Sequence, residues 1–470
     1  MFLHNTYTKK TEEFKPIEEK KIRMYSCGPT VYDFVHIGNF RTFLMADFLR
    51  RAFEYLDYKV KHIKNITDVG HLTQDDIEAG EDKMIKAAKR EKKNPYDIAR
   101  FYEKEFYKDE RKLNILPADK FPRATEYIKE MIAMIEKLIA NGYAYEINGS
   151  VFYDVTKFKD YGKLSGNTLK NLKVCARLET HPDKKNSYDF ALWLKANPEH
   201  LMQWDSPWSR GYPGWHIECS AMSTANLGNT MDIHTGGEDN IFPHHEDEIA
   251  QSEGATGEKF VNYWIHGRHL LVDGEKMSKS KGNFYVLADI EKKGFNPLSL
   301  RYLCLTAHYQ SQLNFTWQSL EASQNALNKL YDFVRGFHSD DSPIESQMQD
   351  SQMRFHSPNE TMEPSNIYEE KFQKALENNL DTPKALAIIW EMIKSKELSY
   401  DDKKASLLKF DQVLGLDLDK VKKEKIEMPE KIKDLIKQRE EARKNKDWQK
   451  ADELRDEIKK EGYAIQDTPV

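Results

Sequence analysis

A chain of 470 residues is longer than one ordinary domain core requires, so we expect about three folding units. Its hydrophobic share of 39% and charged share of 31% are typical of a soluble globular enzyme and exclude disorder over most of the chain. The net charge of -6 excludes a global basic field for nucleic acid, so an RNA partner would have to contact a local basic patch.

The sequence contains no signal for export or membrane insertion. Its first residues, MFLHNTYTKKTEEFK, lack an apolar segment, and no stretch approaches the roughly 18 apolar residues of a membrane span. The cysteines at positions 27, 175, 219 and 304 are too sparse for a disulfide framework. We therefore expect a cytoplasmic protein without a membrane partner, whose cysteines are free thiols or metal ligands. Cys175 and Cys304 have apolar neighbours, which favours packing roles for them.

The first predicted elements form a βαβ unit. In KIRMYSCG, residues 21–28, apolar and polar residues alternate as in a strand that ends at Gly28. An amphipathic helix is predicted for NFRTFLMADFLRRAFEYLDY, and KVKHIKNITDV is typical of a second strand. The helix N-terminus is predicted at His36 to Asn39. Such a unit binds ligands at the carboxyl ends of its strands.

Further along the chain, the pattern of charged, apolar and turn residues changes several times. Residues 76–113 are highly charged with helical spacing, and residues 116–210 contain turns and short strands that interrupt the sheet. The sheet resumes near PGWHIECSAM, and from Pro297 the chain is mostly helical. Residues 338–365 are rich in Ser, Asp and Pro, which predicts a mobile linker.

We therefore predict an α/β fold: a Rossmann-like parallel-sheet catalytic domain with an inserted connective domain, followed by an all-helical C-terminal region. The predicted boundaries are 1–115 and 211–296 for the two halves of the catalytic domain, 116–210 for the insertion, 297–337 for a first helical region, 338–365 for the linker, 366–428 for a helical bundle and 429–470 for a last helical segment.

The tetrapeptide HIGN, residues 36–39, lies at the predicted start of the first helix. His36 and Asn39 are three residues apart and can face one anion, while Gly38 lets that anion approach the backbone N–H groups. Phosphate binding is the functional interpretation, and a histidine that only caps the helix is the alternative.

A second cationic loop, VDGEKMSKSKGNF, spans residues 272–284. Lys276 and Lys279 follow an Asp-Gly turn, and a mobile loop of this type can close over a polyphosphate. A lysine-rich turn alone is usually only solvated, but together with residues 36–39 it predicts a nucleotide clamp. Asp239 follows two glycines and is predicted to accept hydrogen bonds from the ribose of ATP, with turn capping as the alternative.

Four residues form a candidate metal centre: Cys27, Cys219, His244 and Glu248. His244 and Glu248 are four apart and share one helical face. Thiolate, imidazole and carboxylate ligands suit zinc. His245 and Glu246 compete for ligand places, and a buried, hydrogen-bonded histidine pair is the alternative to a metal site.

These segments are similar to those of a known family. HIGN and KMSKS resemble the two signatures of class I aminoacyl-tRNA synthetases, and YSCGPTVYDFVHIGN, PGWHIECSAM, FPHHEDEIAQ and EKMSKSKGN resemble cysteinyl-tRNA synthetases in particular. NITD, LNILPADKFPRAT, SQLNF and NLDTPKAL extend the resemblance from Phe2 to Thr468.

The resemblance implies an ATP-dependent ligase that forms cysteinyl-adenylate and transfers the cysteinyl group to tRNA(Cys). It implies one zinc ion per subunit that selects the substrate thiol, and Mg²⁺ bound with ATP. The implied zinc ligands are Cys27, Cys219, His244 and Glu248. The implied catalytic residues are His36, Asn39, Lys276 and Lys279, with Gly38, Asp239 and Lys279 binding ATP. The implied substrate pocket contains Gly28, Thr67 and Trp215.

The resemblance also implies roles for the helical regions. Residues 297–337 would contact the tRNA stem. The chain ends at Val470, ahead of a Gly-rich tail with Trp and Arg that is usual in the family, so we expect 429–470 to form a truncated anticodon-binding region. Trp448 lies on a locally basic helix and suits stacking on an unpaired base, with a core position as the alternative. We expect a monomer.

Two rival functions use the same sequence features. A cysteine ligase could pass cysteinyl-adenylate to a small amine instead of tRNA, but the long helical C-terminus favours tRNA. A catalytically silent RNA- or zinc-binding protein is the second rival, although such a module would not need both the lysine loop and the four ligands.

Overall fold

The computed structural model describes residues 1–70, 72–74, 79–167, 181–197, 200–278, 281–336, 364–422, 429–445 and 447–460. One compact unit comprises residues 1–327 and 363–417, and a second comprises 328–362 and 418–470. Lys279 and Cys175 lie outside the described residues, as does the predicted linker apart from positions 364 and 365.

The strands are numbered in chain order: β1 (Phe2–Asn5), β2 (Lys10–Glu13), β3 (Lys21–Ser26), β4 (Lys59–Lys64), β5 (Leu72–Gln74), β6 (Ala79–Asp82), β7 (Ala144–Ile147), β8 (Ser150–Tyr153), β9 (Phe190–Lys195), β10 (Gly211–Pro213), β11 (Met231–Gly237), β12 (Val261–Gly267), β13 (Leu270–Val272), β14 (Glu275–Lys276) and β15 (Leu313–Phe315).

The α-helices are α1 (Ile37–Tyr55), α2 (Lys83–Glu91), α3 (Pro95–Lys112), α4 (Ile128–Ala140), α5 (Trp215–Leu227), α6 (Glu246–Thr256), α7 (Leu287–Lys292), α8 (Pro297–Leu305), α9 (Trp317–Arg335), α10 (Pro364–Glu377), α11 (Thr382–Lys394), α12 (Tyr400–Leu414), α13 (Glu430–Lys444) and α14 (Trp448–Lys460). Within the described ranges, no helix combines the length and apolar character needed to cross a membrane.

A parallel sheet in the order β12-β11-β3-β4 lies at the centre of the first unit. The chain leaves β3 through α1 towards β4, and it leaves β11 through α6 towards β12. Because these connections run to opposite sides, a crevice opens between the carboxyl ends of β3 and β11, where open α/β sheets bind ligands. The predicted α/β fold and its first βαβ unit are confirmed.

Helix α1 begins where the sequence pattern predicts it. His36 is the N-cap, and its Nδ1 accepts a hydrogen bond from the Asn39 N–H at 3.2 Å. Phe40, Leu44 and Phe48 are buried on one face of the helix. The capped end of α1 therefore lies beside the crevice.

The polar side of α1 contains a buried ionic cluster. Asp47 Oδ2 lies 2.6 Å from Arg301 Nη2 of α8 and 2.8 Å from Arg51 Nε. Arg301 Nε also donates to the Leu414 carbonyl at the end of α12. These contacts join α1 to the helices that follow the catalytic sheet, and Asp47 and Arg301 are 2% and 0% exposed.

The inserted region forms a second sheet in the antiparallel order β10-β9-β8-β7. Phe152 and Trp193 are fully buried in it, and α4 packs against α5 and α6. Since β10 pairs with β9, this sheet extends three residues beyond the predicted boundary at 210.

In the described part of the second unit, α13 and α14 pack against each other. Ile432, Leu435, Leu454 and Ile458 form the core of this pair. Trp448, at the start of α14, is 53% exposed and is not part of this core.

Candidate metal centre and active site

The four predicted metal ligands converge in the crevice. Cys27 directly follows β3, Cys219 lies in α5, and Glu248 lies in the first turn of α6. His244 belongs to the irregular turn Ile241–His245 that leads into α6. One potential ligand atom from each residue lies within 4.8 Å of every other. Two sulfur atoms, an imidazole and a carboxylate at this separation fit the donor set that zinc prefers.

A second donor set overlaps the first. Cys27, His234, His245 and Glu248 also place one ligand atom each within 4.8 Å of one another. His234 Nε2 lies 2.9 Å from Glu248 Oε2, and His245 Nε2 lies 3.2 Å from Cys27 Sγ. Glu246, the other predicted rival, belongs to neither set, and its Oε2 accepts a hydrogen bond from the Ser165 N–H.

The protonation states within the first donor set depend on one another: burial, Cys219 and Glu248 raise the pKa of Cys27 well above its usual value. A hydrogen bond from Cys27 lowers the pKa of Cys219 to about 7 against the opposing effect of burial. Burial opposes protonation of His244, but Glu248 and Cys219 together outweigh it and raise the pKa of His244 to about 10. Burial opposes ionisation of Glu248, yet His234 and His244 lower its pKa to about 2. Cys219 therefore has thiolate character near neutral pH.

The predicted pocket residues surround this centre. The Trp215 ring stacks on His244 with centroids 4.5 Å apart. Thr67 is buried, and its hydroxyl donates to Glu218 Oε2 at 2.9 Å, one residue before Cys219. Gly28 lies against Asn65, where an added Cβ would be 1.7 Å from the backbone oxygen. Only glycine therefore fits at position 28, and the backbone beside Cys27 packs directly against Asn65, the residue that follows β4.

The two cationic loops meet at the start of α1. An added Cβ on Gly38 would lie 2.9 Å from His36 Nδ1 and 3.5 Å from the Met277 methyl group. The Phe284 ring contacts His36 edge-on, with centroids 5.1 Å apart. Asn39 and Lys276 are exposed, so their side chains are accessible to a ligand. The structure thus places residues 36–39 and the described part of the 272–284 loop side by side.

Asp239 is exposed in a short turn directly after β11. An added Cβ on Gly237 would lie 2.5 Å from Asp239 Oδ1 and 3.5 Å from Thr42 Oγ1 of α1. This carboxylate therefore lies beside the first turns of α1.

Three buried residues not predicted from sequence lie behind the donor set: His216, Asp247 and Tyr161. His216 precedes Cys219 by three residues on α5, and Asp247 precedes Glu248, so spacing from a predicted ligand could have indicated both. No sequence signal connects Tyr161 to the site, because it belongs to the inserted region.

Comparison with known proteins shows which family the chain resembles in sequence. A sequence model for the class I (C) tRNA synthetase catalytic domain matches residues 13–325, and one for the cysteinyl-tRNA ligase anticodon-binding domain matches residues 426–469. A cysteine–tRNA ligase from Treponema denticola is 43% identical over 480 residues, covering 99% of the chain and 97% of that relative. The chain belongs to the cysteine–tRNA ligase family. The predicted resemblance is confirmed.

Other members of the cysteine–tRNA ligase family align over a similar length. Cysteine–tRNA ligase 1 of Burkholderia lata is 42% identical over 470 residues, covering 99% of the chain and 95% of the relative. Among solved structures, a methionyl-tRNA synthetase of Mycobacterium tuberculosis in complex with methionyl-adenylate has a TM-score of 0.55 at 14% identity, covering 84% of the chain and 90% of that structure. That likeness is one of fold alone.

Proposed function

We propose that the protein activates L-cysteine with ATP and transfers the cysteinyl group to the 3′ end of tRNA(Cys). One observation carries this proposal: the thiol- and imidazole-rich donor set and the two cationic loops meet at the same crevice of the parallel sheet. Cys27 and His36 belong to one segment between β3 and α1, so a thiol substrate and a phosphate group can bind within reach of each other.

Zinc is the proposed metal, with Cys27, Cys219, His244 and Glu248 as its ligands. This set is favoured over the alternative with His234 and His245 because it supplies two cysteine sulfurs and one imidazole, a combination found in catalytic zinc sites. When bound there, zinc supplies a soft Lewis acid that lowers the pKa of a thiol and discriminates against a serine hydroxyl. His234 then orients Glu248, and His245 orients Cys27.

The first chemical step requires positioning and charge stabilisation. The cysteine carboxylate attacks the α-phosphorus of ATP, a new C(O)–O–P bond forms, and the bond to pyrophosphate breaks. His36, Asn39, Lys276 and Lys279 would hold the phosphates, with Asp239 on the ribose and Mg²⁺ bound with ATP. Preorganised donors aimed at the developing negative charge supply the catalysis, so no covalent enzyme intermediate is needed.

The second step consumes the adenylate. A hydroxyl of the tRNA 3′-terminal adenosine attacks the cysteinyl carbonyl, and AMP leaves. The 426–469 segment matches an anticodon-binding domain, and exposed Trp448 is proposed to stack on an unpaired base there. Residues 297–337 are proposed to contact the tRNA stem. We also propose a monomer in the cytoplasm, where ATP and tRNA are both present.

The test is exchange of pyrophosphate into ATP with cysteine and with serine, followed by charging of a tRNA(Cys) transcript in the same preparation. Cysteine-dependent exchange together with charging is the expected result. Exchange without charging would assign the chain to ligases that use a small amine acceptor. If no exchange occurs, the protein is a binding module and the proposal is wrong.

Lys279→Ala should slow adenylate formation, because the side chain would no longer neutralise the phosphates during transfer. We expect a fall of about ten- to a hundredfold in single-turnover rate, with zinc content and cysteine affinity unchanged. Lys281→Ala is the matched control, since Lys281 Nζ lies 2.8 Å from Glu275 Oε2 in an exposed pair of the same loop. Equal rates for the two variants would remove Lys279 from the catalytic step.

A further inference from the structure

A line of polar contacts runs behind His244, on the side away from the metal ligands. His244 Nε2 faces the donor set, 3.1 Å from Glu248 Oε1, while its Nδ1 lies 2.9 Å from His216 Nδ1. The other ring nitrogen of His216, Nε2, lies 3.3 Å from Asp247 Oδ2. Tyr161 Oη donates to Asp247 Oδ1 at 2.5 Å. The line thus connects a proposed zinc ligand to the inserted region.

The order of these contacts defines where the protons lie. Burial and the adjacent Asp247 carboxylate raise the pKa of Tyr161 well above its usual value, so Tyr161 remains a hydrogen-bond donor. The Asp247 carboxylate lies 3.3 Å from His216 Nε2 in an electrostatic contact, and its negative charge favours a proton on that nitrogen. With its proton on Nε2, His216 accepts at Nδ1 from His244 Nδ1, 2.9 Å away. With Nδ1 committed to His216, Nε2 is the His244 ring nitrogen that faces the donor set, and its lone pair would be available to a metal that displaces the Nε2 proton.

Ring contacts hold both imidazoles in this orientation. Trp215 stacks on His244, with centroids 4.5 Å apart and planes at 26°. Phe190 of the inserted sheet contacts the His216 ring edge-on at 5.8 Å. Tyr161, Asp247, His216 and His244 are 8%, 1%, 5% and 2% exposed, so water competes little for their polar atoms.

We propose that Tyr161, Asp247 and His216 are positioning residues that fix the tautomer and orientation of His244, so that the inserted region controls metal affinity. The inference rests on the proposed zinc site formed by Cys27, Cys219, His244 and Glu248. Its test also shows which of the two donor sets binds the metal, because His244 is absent from the set that contains His234 and His245. A metal bound by that alternative set would not depend on Tyr161.

Two buried tyrosines of the inserted region provide a matched test. Tyr161 donates to the Asp247 side chain, whereas Tyr153 donates to the Ala250 carbonyl of the same helix at 2.9 Å. In the full-length protein, zinc affinity is measured by competition with a chromophoric chelator, using zinc alone. Tyr161→Phe should weaken zinc binding about tenfold, because loss of a residue that hydrogen-bonds behind a metal ligand lowers metal affinity by about 10- to 100-fold. Tyr153→Phe should leave zinc affinity unchanged.

A second pair of variants separates positioning from general loss of structure. His216→Asn retains an acceptor oxygen close to the position of Nδ1, whereas His216→Phe retains a ring but no acceptor. We expect zinc affinity to fall by about 10- to 100-fold in the Phe variant and to be largely rescued in the Asn variant. Thermal unfolding of the zinc-free proteins monitors folding in parallel.

The outcomes distinguish this inference from the proposed function. If the unmodified protein binds zinc and all four variants bind it equally well, the positioning inference is overturned while the zinc site stands. Equal losses in Tyr161→Phe and Tyr153→Phe would also overturn it, because they would report only weaker packing of α6. If the unmodified protein binds no zinc, both the inference and the proposed metal are wrong.

Discussion

Cys219→Ser is expected to release zinc and to weaken cysteine binding far more than ATP binding. The residue lies in α5, is 2% exposed, and contributes one of the two sulfur atoms of the first donor set. Because about 10–16 kcal/mol is shared among the four ligands of a structural zinc site, loss of one thiolate should weaken zinc binding by roughly 100- to 1000-fold. A serine hydroxyl is a poor replacement, since zinc prefers the thiolate.

The measurement combines elemental analysis after dialysis with the KM for cysteine and for ATP in pyrophosphate exchange. Cys304→Ser is the matched control, because Cys304 is also buried but lies in α8 outside the donor sets. Burial raises the pKa of Cys304 to about 11, which makes it a thiol with a packing role. Unchanged zinc content in Cys219→Ser would contradict the ligand assignment, and equal zinc loss in both variants would indicate unfolding instead.

Much of the fold follows from local patterns in the sequence. The strand that ends before Cys27 and the helix that His36 caps are each specified within about 20 residues, by alternation, helical periodicity and a capping side chain. The edge of the insertion was harder to predict. Gly211–Pro213 is short and precedes PGWHIECSAM, and only its pairing with β9 assigns it to the antiparallel sheet.

The convergence of the candidate metal ligands could be predicted because several of them lie in segments with a chemical signature of their own. His244 and Glu248 are four residues apart, and Cys27 follows a strand whose end faces the crevice. Tyr161, which lies behind these ligands, could not be predicted in this way. The contact between Tyr161 and Asp247 joins residues 86 positions apart and depends on how the inserted region packs on α6. No periodicity or spacing encodes such a contact, so the sequence alone could not predict it.

Asp47→Asn is expected to destabilise the first unit by about 3–5 kcal/mol, the cost of leaving buried charges uncompensated. The substitution keeps the side-chain shape but removes the negative charge that faces Arg51 and Arg301, whose side chains are 8% and 0% exposed. Glu54→Gln is the matched control on the same helix. It removes one charge of the more exposed pair with Arg50, and such pairs contribute about 0–1 kcal/mol. Both free energies come from urea unfolding followed by tryptophan fluorescence.

The pH dependence of this difference provides a second criterion. Burial tends to raise the pKa of Asp47, but the guanidinium groups of Arg301 and Arg51 outweigh it and hold the pKa below its usual value. A carboxylate with a lowered pKa stabilises the fold fully above its unfolded pKa of about 4 and loses that contribution as the pH falls through the lowered value. The gap between the unmodified protein and Asp47→Asn should therefore stay constant from neutral pH down to about 4 and shrink below it.

The cluster joins α1, whose N-cap is His36, to α8, which follows the lysine-rich loop in the chain. If Asp47→Asn costs no more than Glu54→Gln, the two arginines are compensated by other groups, such as the Leu113, Asn114 and Leu414 carbonyls that Arg301 already contacts. If the large loss is observed, the Asp47 carboxylate is the group that holds the middle of α1 against α8, and through Arg301 against the end of α12.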